Sequence, residues 1–439
     1  MKATNDNPAE VRETAVAAPI ALEKISSNDR RVLGDLARRY MDACRTDKNR
    51  ETVAFWCAFN SLQRTRPPVF IDLNYATHMD DEIDAALPAP KVKAAALRHV
   101  ENWLQRRLWQ TRIPDDRVLY PWYPVRAVMA TSAAGEWGID LALVHDTGGG
   151  RGWRWDAVVK RVEDLQKLKR TPHKVIDPDP PLARALRDIF GERLPVHVDR
   201  STVYSSWGGY DLSTAAGAHL GLQQLLLALY EQPALVHGLM AFMRDAVIAN
   251  LKEGEAAGDW STVESNNYAV PPYCRELPAP QANSHGAALK DLHCFMHAQE
   301  FETVSPEQHE EFLLRYQMPI MKLFGLVNYG CCESLHNKVG LLRTIPNLRK
   351  ILAGPIANVA KIVEEVGADY IISWRPNPAS MVSGRFDPDG VRRQIRETLA
   401  MARGCHIEVN LKELLTVGND MNRLIEWARI AMEEAERAR

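Results

Sequence analysis

Between Asn328 and His336 the chain reads Asn-Tyr-Gly-Cys-Cys-Glu-Ser-Leu-His, with two thiols, a carboxylate and an imidazole in the six residues Cys331–His336. Thiolate and imidazole ligands suit a soft metal such as zinc. A carboxylic acid or imidazole beside them suits proton transfer. The spacing matches no standard structural zinc finger, and Cys331 and Cys332 read equally well as small apolar side chains at a tight turn. Adjacent strand residues point to opposite faces, so the two thiols cannot both face the barrel if the strand continues; one then reads as a ligand or nucleophile while the other turns into the loop. His336, just inside a following helix, also suits a cap or a packing position.

Further polar residues stand where other apolar runs end. His297, Gln299 and Glu300 occur in HAQEFETVSPE, and Asn266, Asn267 and Tyr268 close an earlier run. Arg375 and Asn377 lie in Ser373-Trp374-Arg375-Pro376-Asn377-Pro378, where Arg375 suits a substrate carboxylate and the prolines stiffen the loop. Glu408, Asn410 and Lys412 alternate along the last run and precede Glu413; a buried Glu408–Lys412 pair is one reading, structural or functional. For each of these residues taken singly, a polar rim position is the simpler alternative. Trp207-Gly208-Gly209-Tyr210-Asp211-Leu212 is a glycine turn with aromatics, open to a flat ligand or to ordinary loop packing.

Such groups meet only if their elements bring them to one place. Helical periodicity runs over Ser27–Thr65, with Ser27 or Asn28 as cap, and over Lys91–Trp109. Beyond that, short apolar runs alternate with helical patterns, which predicts parallel strands with crossover helices. Eight runs read as strands: Val118–Val125, Pro195–Val198, Glu264–Val270, Phe295–Phe301, Gly325–Gly330, Leu348–Ala353, Tyr370–Trp374 and His406–Leu411. The helices between them include Leu220–Tyr230, Pro233–Leu251, Pro306–Phe324, Val359–Val366, Pro388–Ala402 and Asn419–Ala438. The expected fold class is α/β: a (β/α)8 TIM barrel over residues 116–439, a helical extension over 27–115, and a poorly ordered tail over 1–26. A doubly wound sheet is the alternative. In a barrel the chemistry sits at the C-terminal ends of the strands. Gly148-Gly149-Gly150-Arg151-Gly152 lacks the ending of a phosphate loop and reads as a flexible loop.

Bulk properties narrow the partners. The chain has 439 residues, 46% hydrophobic and 25% charged, with a formal net charge of −2. No global field draws it to nucleic acid or anionic lipid, so a small-molecule substrate is expected. Seven thinly spread cysteines are not a disulfide framework. The first residues show no signal-peptide pattern, and the apolar run Leu220–Tyr230 is too short to span a bilayer. A cytoplasmic protein, without membrane attachment, is the expectation.

The stretches HAQEFETVSPEQHEEFLLRYQMPIMKLFG, LVNYGCCESLHNKVGLL and RKILAGPIANVAKIVEEVGADYIISWRPNPA, in this order, resemble the uroporphyrinogen decarboxylase-like superfamily, which includes cobalamin-associated methyltransferases. The likeness runs from about Asp199 to the C-terminus. It implies a (β/α)8 barrel with its pocket at the strand C-termini. In the methyltransferase branch it implies zinc on a His-x-Cys strand end and a later Cys, or methyl donors used with a separate corrinoid protein. Here Tyr329 stands at the family's His and Cys331 at its Cys, while Cys405, the nearest later cysteine, precedes the last strand. Cys332, Glu333 or His336 would have to complete a metal site. The decarboxylase branch's arginine-rich motif has no match near Pro67–Asp72.

The expected activity is therefore methyl transfer from a small O- or N-methylated compound, with cobalamin on a corrinoid protein as acceptor. Glu333, His336 and Glu300 are the acid or ligand candidates, and Cys331 and Cys332 the metal candidates. His297, Gln299, Asn328, Tyr329, Arg375, Asn377, Glu408 and Asn410 are the candidate substrate contacts. The alternative on the same barrel is a decarboxylase or lyase of a small aromatic or pyrrolic acid. A non-catalytic subunit of a methyltransferase complex is the third reading. Barrels of this kind often pair through surface helices, so a homodimer is an open expectation.

Overall fold

The computed structural model describes residues 25–73, 79–130, 137–141, 143–145, 153–204, 210–382 and 386–439. Gly148–Gly152, Trp207–Gly209 and the tail before Ile25 lie outside the described residues. The fold is mixed α/β around a parallel sheet. Eight strands matter for the site: β1 Val69–Ile71, β2 Tyr123–Arg126, β3 Val196–Asp199, β4 His293–Met296, β5 Leu326–Tyr329, β6 Leu348–Ala353, β7 Ile371–Trp374 and β8 His406–Leu411. Six form one sheet in the order β1-β8-β7-β6-β5-β4, every neighbour parallel. β2 and β3 form a separate parallel pair. Among the described residues the strands are short and the sheet does not close on itself. Shorter antiparallel pairs, such as Leu143–His145 with Trp153–Trp155, lie outside this sheet.

Three strand readings change, and the first is Val118–Val125, of which only the end is strand, over Tyr123–Arg126. Glu264–Val270 is not a strand: Thr262–Glu264 is a capped 3-10 turn, and Tyr268 and Ala269 take φ of 42° and 65°. Left-handed backbone cannot continue an extended ladder. The run beginning at Phe295 belongs to β4, which starts at His293 and ends at Met296, so Gln299–Phe301 is a 3-10 turn. The sequence pattern missed β1, which lies inside the stretch read as helical extension and pairs Phe70 with Asn410. Within that extension the stretch Ser27–Thr65 is two helices, Ser27–Cys44 and Asp47–Asn60, the first capped by Ser26 rather than Ser27 or Asn28, and the helix read over Lys91–Trp109 runs from Arg98 to Gln110.

Period-two alternation gives the sheet two unlike faces. Val327, Tyr329, Ile351, Ala353, Ile372, Trp374, Ile407, Val409 and Leu411 belong to the main apolar core. Helices such as Val359–Val366 and Pro388–Met401, capped by Asn358 and Asp387, cover this outer face. The opposite, inner face carries Asn328, Lys350, Ser373, Glu408 and Asn410, all almost fully buried. Buried polar groups are costly unless they are satisfied or used. At one end of that face Trp56 and Phe59 pack with Phe70 and Ile371. The helix Asp47–Asn60 thus covers that end of the sheet.

The helix Pro233–Ala256 is long and apolar enough to cross a membrane by length and composition, a longer apolar stretch than Leu220–Tyr230. Its Leu235, Leu239, Met243, Val247 and Leu251 are buried in the main core, as in the core helix of a globular domain.

Candidate functional site

At the end of β5, Gly330 adopts φ 110° and the chain turns sharply. A side chain there would come within 2.6 Å of Leu335 and 3.1 Å of Leu352, so both space and backbone require glycine. Gly354, at the end of β6, leaves room for the Cys332 carbonyl. The turn releases both thiols from strand alternation, and their Sγ atoms lie 3.3 Å apart. The Cys332 thiol points at Glu413 Oε1, 2.5 Å away, just beyond β8. The donor atoms of Cys331, Cys332 and Glu413 all lie within 4.8 Å of one another, as a metal cluster requires.

Around this cluster is a ring of buried groups. The Tyr268 hydroxyl is 3.3 Å from Cys331 Sγ and bonded by the Lys412 ammonium, which also lies 3.4 Å from Glu413 Oε1. Tyr268 and Phe295 stack obliquely at 4.1 Å, and Arg375 lies over the Tyr268 ring at 4.2 Å. Tyr268, Ala269 and Glu413 all have left-handed φ without being glycine, and such strain collects at functional sites. The bonded Cys331 thiol, followed by burial and the Glu413 charge, pushes the Cys332 thiol far above its usual range. Burial works against the Glu413 carboxylate, but Lys412, the Cys332 thiol and Arg375 outweigh it and hold it below the ordinary value. Cys332 is thus a protonated donor to a carboxylate. A cation at this point would replace its proton.

A second cluster follows β4. His297 is fully buried, 3.4 Å from Asp211 Oδ1 and 3.3 Å from Thr214 Oγ1. Glu300 accepts from Ser213 at 2.6 Å. Burial disfavours the imidazolium, yet Asp211, Cys331, Glu300 and Glu333 together raise His297 to about 9. The Gln299 N–H aimed at Nδ1 from 3.3 Å opposes a second ring proton. That contact is long, and the anionic surroundings outweigh it. Burial raises the Glu300 carboxyl, with His297 pulling the other way.

A raised histidine stabilises the fold fully below its unfolded value near 6.5, and the gain is lost as pH climbs through about 9. The stability difference between wild type and His297→Gln should therefore shrink from pH 6 to pH 9 in urea titrations. A difference that stays flat or grows would show a neutral ring.

The structure sorts the expected residues. The structure brings Cys331 and Cys332 together rather than turning one of them away into the loop. Glu333 lies next to them but acts as a brace: Ala298 N–H and Cys331 N–H each donate to one of its oxygens at 2.8 Å. Its carboxylate is thereby engaged, and the carboxylate within the donor cluster is that of Glu413. His336 is half-buried, outside the donor cluster, with no partner on Nδ1 among the described residues. Tyr329 does not face the site. Alternation turns it to the outer face, where His309 Nε2 lies 2.8 Å and Gln317 Oε1 2.7 Å from its hydroxyl.

Gln299 and Asn377 are exposed; Asn377 accepts from Ala379 N–H to cap a short turn. Asn328, Arg375, Glu408 and Asn410 are all buried on the inner-face side. Glu408 pairs with Lys350, at 3.0 and 2.8 Å, rather than with Lys412. Arg375 gives Nη1 to the Cys331 carbonyl. Tyr268, Lys412 and Glu413, which stand in the sequence beside expected candidates, complete the site. A hollow of about 490 Å³ lined by Arg64, Cys405 and His406 lies at the opposite strand ends, remote from the thiols.

Among known proteins, no family model matches the chain and no curated sequence matches it.

Proposed function

We propose that this chain is a (β/α)8 barrel of the uroporphyrinogen decarboxylase-like kind and transfers a methyl group from a small O- or N-methylated compound. A corrinoid on a separate protein would be the acceptor. The observation that carries the reading is the convergence of Cys331, Cys332 and Glu413 donor atoms within 4.8 Å, beyond β5 and β8. The all-parallel sheet and the polar inner face support the barrel.

Two thiols and a carboxylate fit zinc, and the 2.5 Å contact of Cys332 with Glu413 marks where a metal would take the place of a proton. Zinc there would supply an electrophile that draws charge from the leaving oxygen or nitrogen. The chain's own groups do the rest. Tyr268 and Phe295, stacked on each other and buried, form the apolar wall behind the thiols. The Tyr268 hydroxyl, touching both Lys412 and Cys331, is the proton donor for the leaving atom, and Lys412 stabilises the phenolate that results. Glu333 fixes the thiol turn through its two backbone bonds.

The test is methyl transfer to cob(I)alamin across a panel of methoxylated and N-methylated compounds, using anaerobically purified protein supplied with zinc. At least one compound should yield methylcobalamin, and Tyr268→Phe should slow that turnover by about 10²–10⁴-fold. Absence of turnover together with absence of bound metal would overturn the reading. The second reading is a decarboxylase, favoured by the buried Arg375 guanidinium; release of carbon dioxide without a corrinoid would select it.

A further inference from the structure

Arg375 is 1% exposed, and among the described residues neither Nε nor Nη2 has a hydrogen-bond partner. No carboxylate pairs with it among the described residues: Glu408 is taken by Lys350, and Glu413 by Lys412 and Cys332. Glu413 feels its charge but makes no ion pair with it, and a desolvated guanidinium with no anion in hydrogen-bond contact is expensive to hold. Asn410 is fully buried, and both ends of its amide also lack partners among the described residues. The two residues are neighbours: β7 and β8 are parallel with Trp374 opposite Val409, so Arg375 and Asn410 follow at the same level. Asn410 alternates with Val409, which belongs to the outer core, and so stands on the inner face.

We propose that Arg375 and Asn410 form a subsite for a substrate carboxylate, so that the methylated compound is a small monocarboxylic acid. This rests on the reading of the thiol cluster as the reacting centre. The Nε–Nη2 edge of a guanidinium presents two parallel N–H groups that match the two oxygens of a carboxylate. Asn410 Nδ2 supplies a third donor. Arg375 also touches the Cys331 carbonyl and covers the Tyr268 ring. A carboxylate anchored there stands beside the Tyr268 hydroxyl and the thiols. One unpaired cation matches one negative charge; a phosphate dianion would leave an excess beside Glu413.

Binding can be measured by calorimetry on the full chain without added metal or corrinoid. The probes are methoxyacetate and the three methoxybenzoates, each against its primary amide, with inorganic phosphate as a further arm. At least one acid should bind about tenfold or more tighter than its amide. Arg375→Met should erase that preference, Arg375→Lys should retain part of it, and Asn410→Leu should weaken it while melting no lower than wild type. The proposal fails if no acid exceeds its amide, if the preference survives both Arg375→Met and Asn410→Leu, or if phosphate binds tightest. Acid binding without methyl transfer would remove the methyl-transfer reading alone; turnover of neutral compounds without acid preference would remove the subsite alone.

Discussion

Lys350→Met is expected to cost roughly 3–5 kcal/mol of stability, because it strands Glu408 without a counter-ion in the interior. Both side chains are 1% exposed, and Nζ bonds both carboxylate oxygens, at 3.0 and 2.8 Å. Burial pushes the Lys350 ammonium down despite Glu408 beside it, so the pair gains little over an apolar replacement. The double variant Lys350→Met/Glu408→Leu should accordingly match wild type or exceed it by about 1–4 kcal/mol. Urea unfolding of the three proteins decides this. A single variant within about 0.5 kcal/mol of wild type would mean that water or another charge reaches the pair. If the double variant also keeps the acid preference expected of Arg375, Glu408 is architecture and not a substrate contact.

Glu408 shows how far the sequence could be read. Its position on an alternating strand was legible, because His406–Leu411 presents Glu408 and Asn410 on one side and apolar residues on the other. Its partner was not. Lys412 is near in sequence, whereas Lys350 comes from β6, two strands away in the sheet, and no local pattern reports such a pairing. The same limit hid Glu413, whose contact with Cys332 spans 81 residues. β1 escaped because three residues after Pro67-Pro68 carry too little alternation to register, and only β8 gives them a ladder.

Other elements were legible because local and global preferences agree. Leu348–Ala353 and His406–Leu411 are found at the bounds their apolar patterns predict. The helix Val359–Val366 likewise has its start written in a cap, Asn358. Two placements had a signal in the sequence. Asn328 and Tyr329 are adjacent on one strand, so strand parity allows only one of them on the inner face. Likeness to a family position is no substitute for that constraint. Glu333 stood in the expected cluster by type, yet two backbone N–H groups claim it, and a carboxylate so held is a brace before it is an acid.

The thiol–carboxylate cluster carries the largest expected effect on activity. With Cys331→Ser the site keeps its shape but loses a soft donor, and with Glu413→Gln it loses the charge that faces Cys332. Each change should lower zinc affinity and methyl transfer by more than about 100-fold, since outer contacts alone are worth about 10–100-fold. Neither should unfold the protein, because Cys331 packs against Tyr268, Phe295 and Leu352 with either atom in place. Circular dichroism and the urea midpoint check that fold loss is not the cause.

X-ray absorption at the zinc edge, combined with elemental analysis of the anaerobically purified chain, tests the cluster most directly. The expected result is about one zinc per chain with two sulfur neighbours near ~2.3 Å, lost in Cys331→Ser and in Glu413→Gln. Metal-free protein that turns over fully, or a zinc signal without sulfur that survives both substitutions, would contradict it.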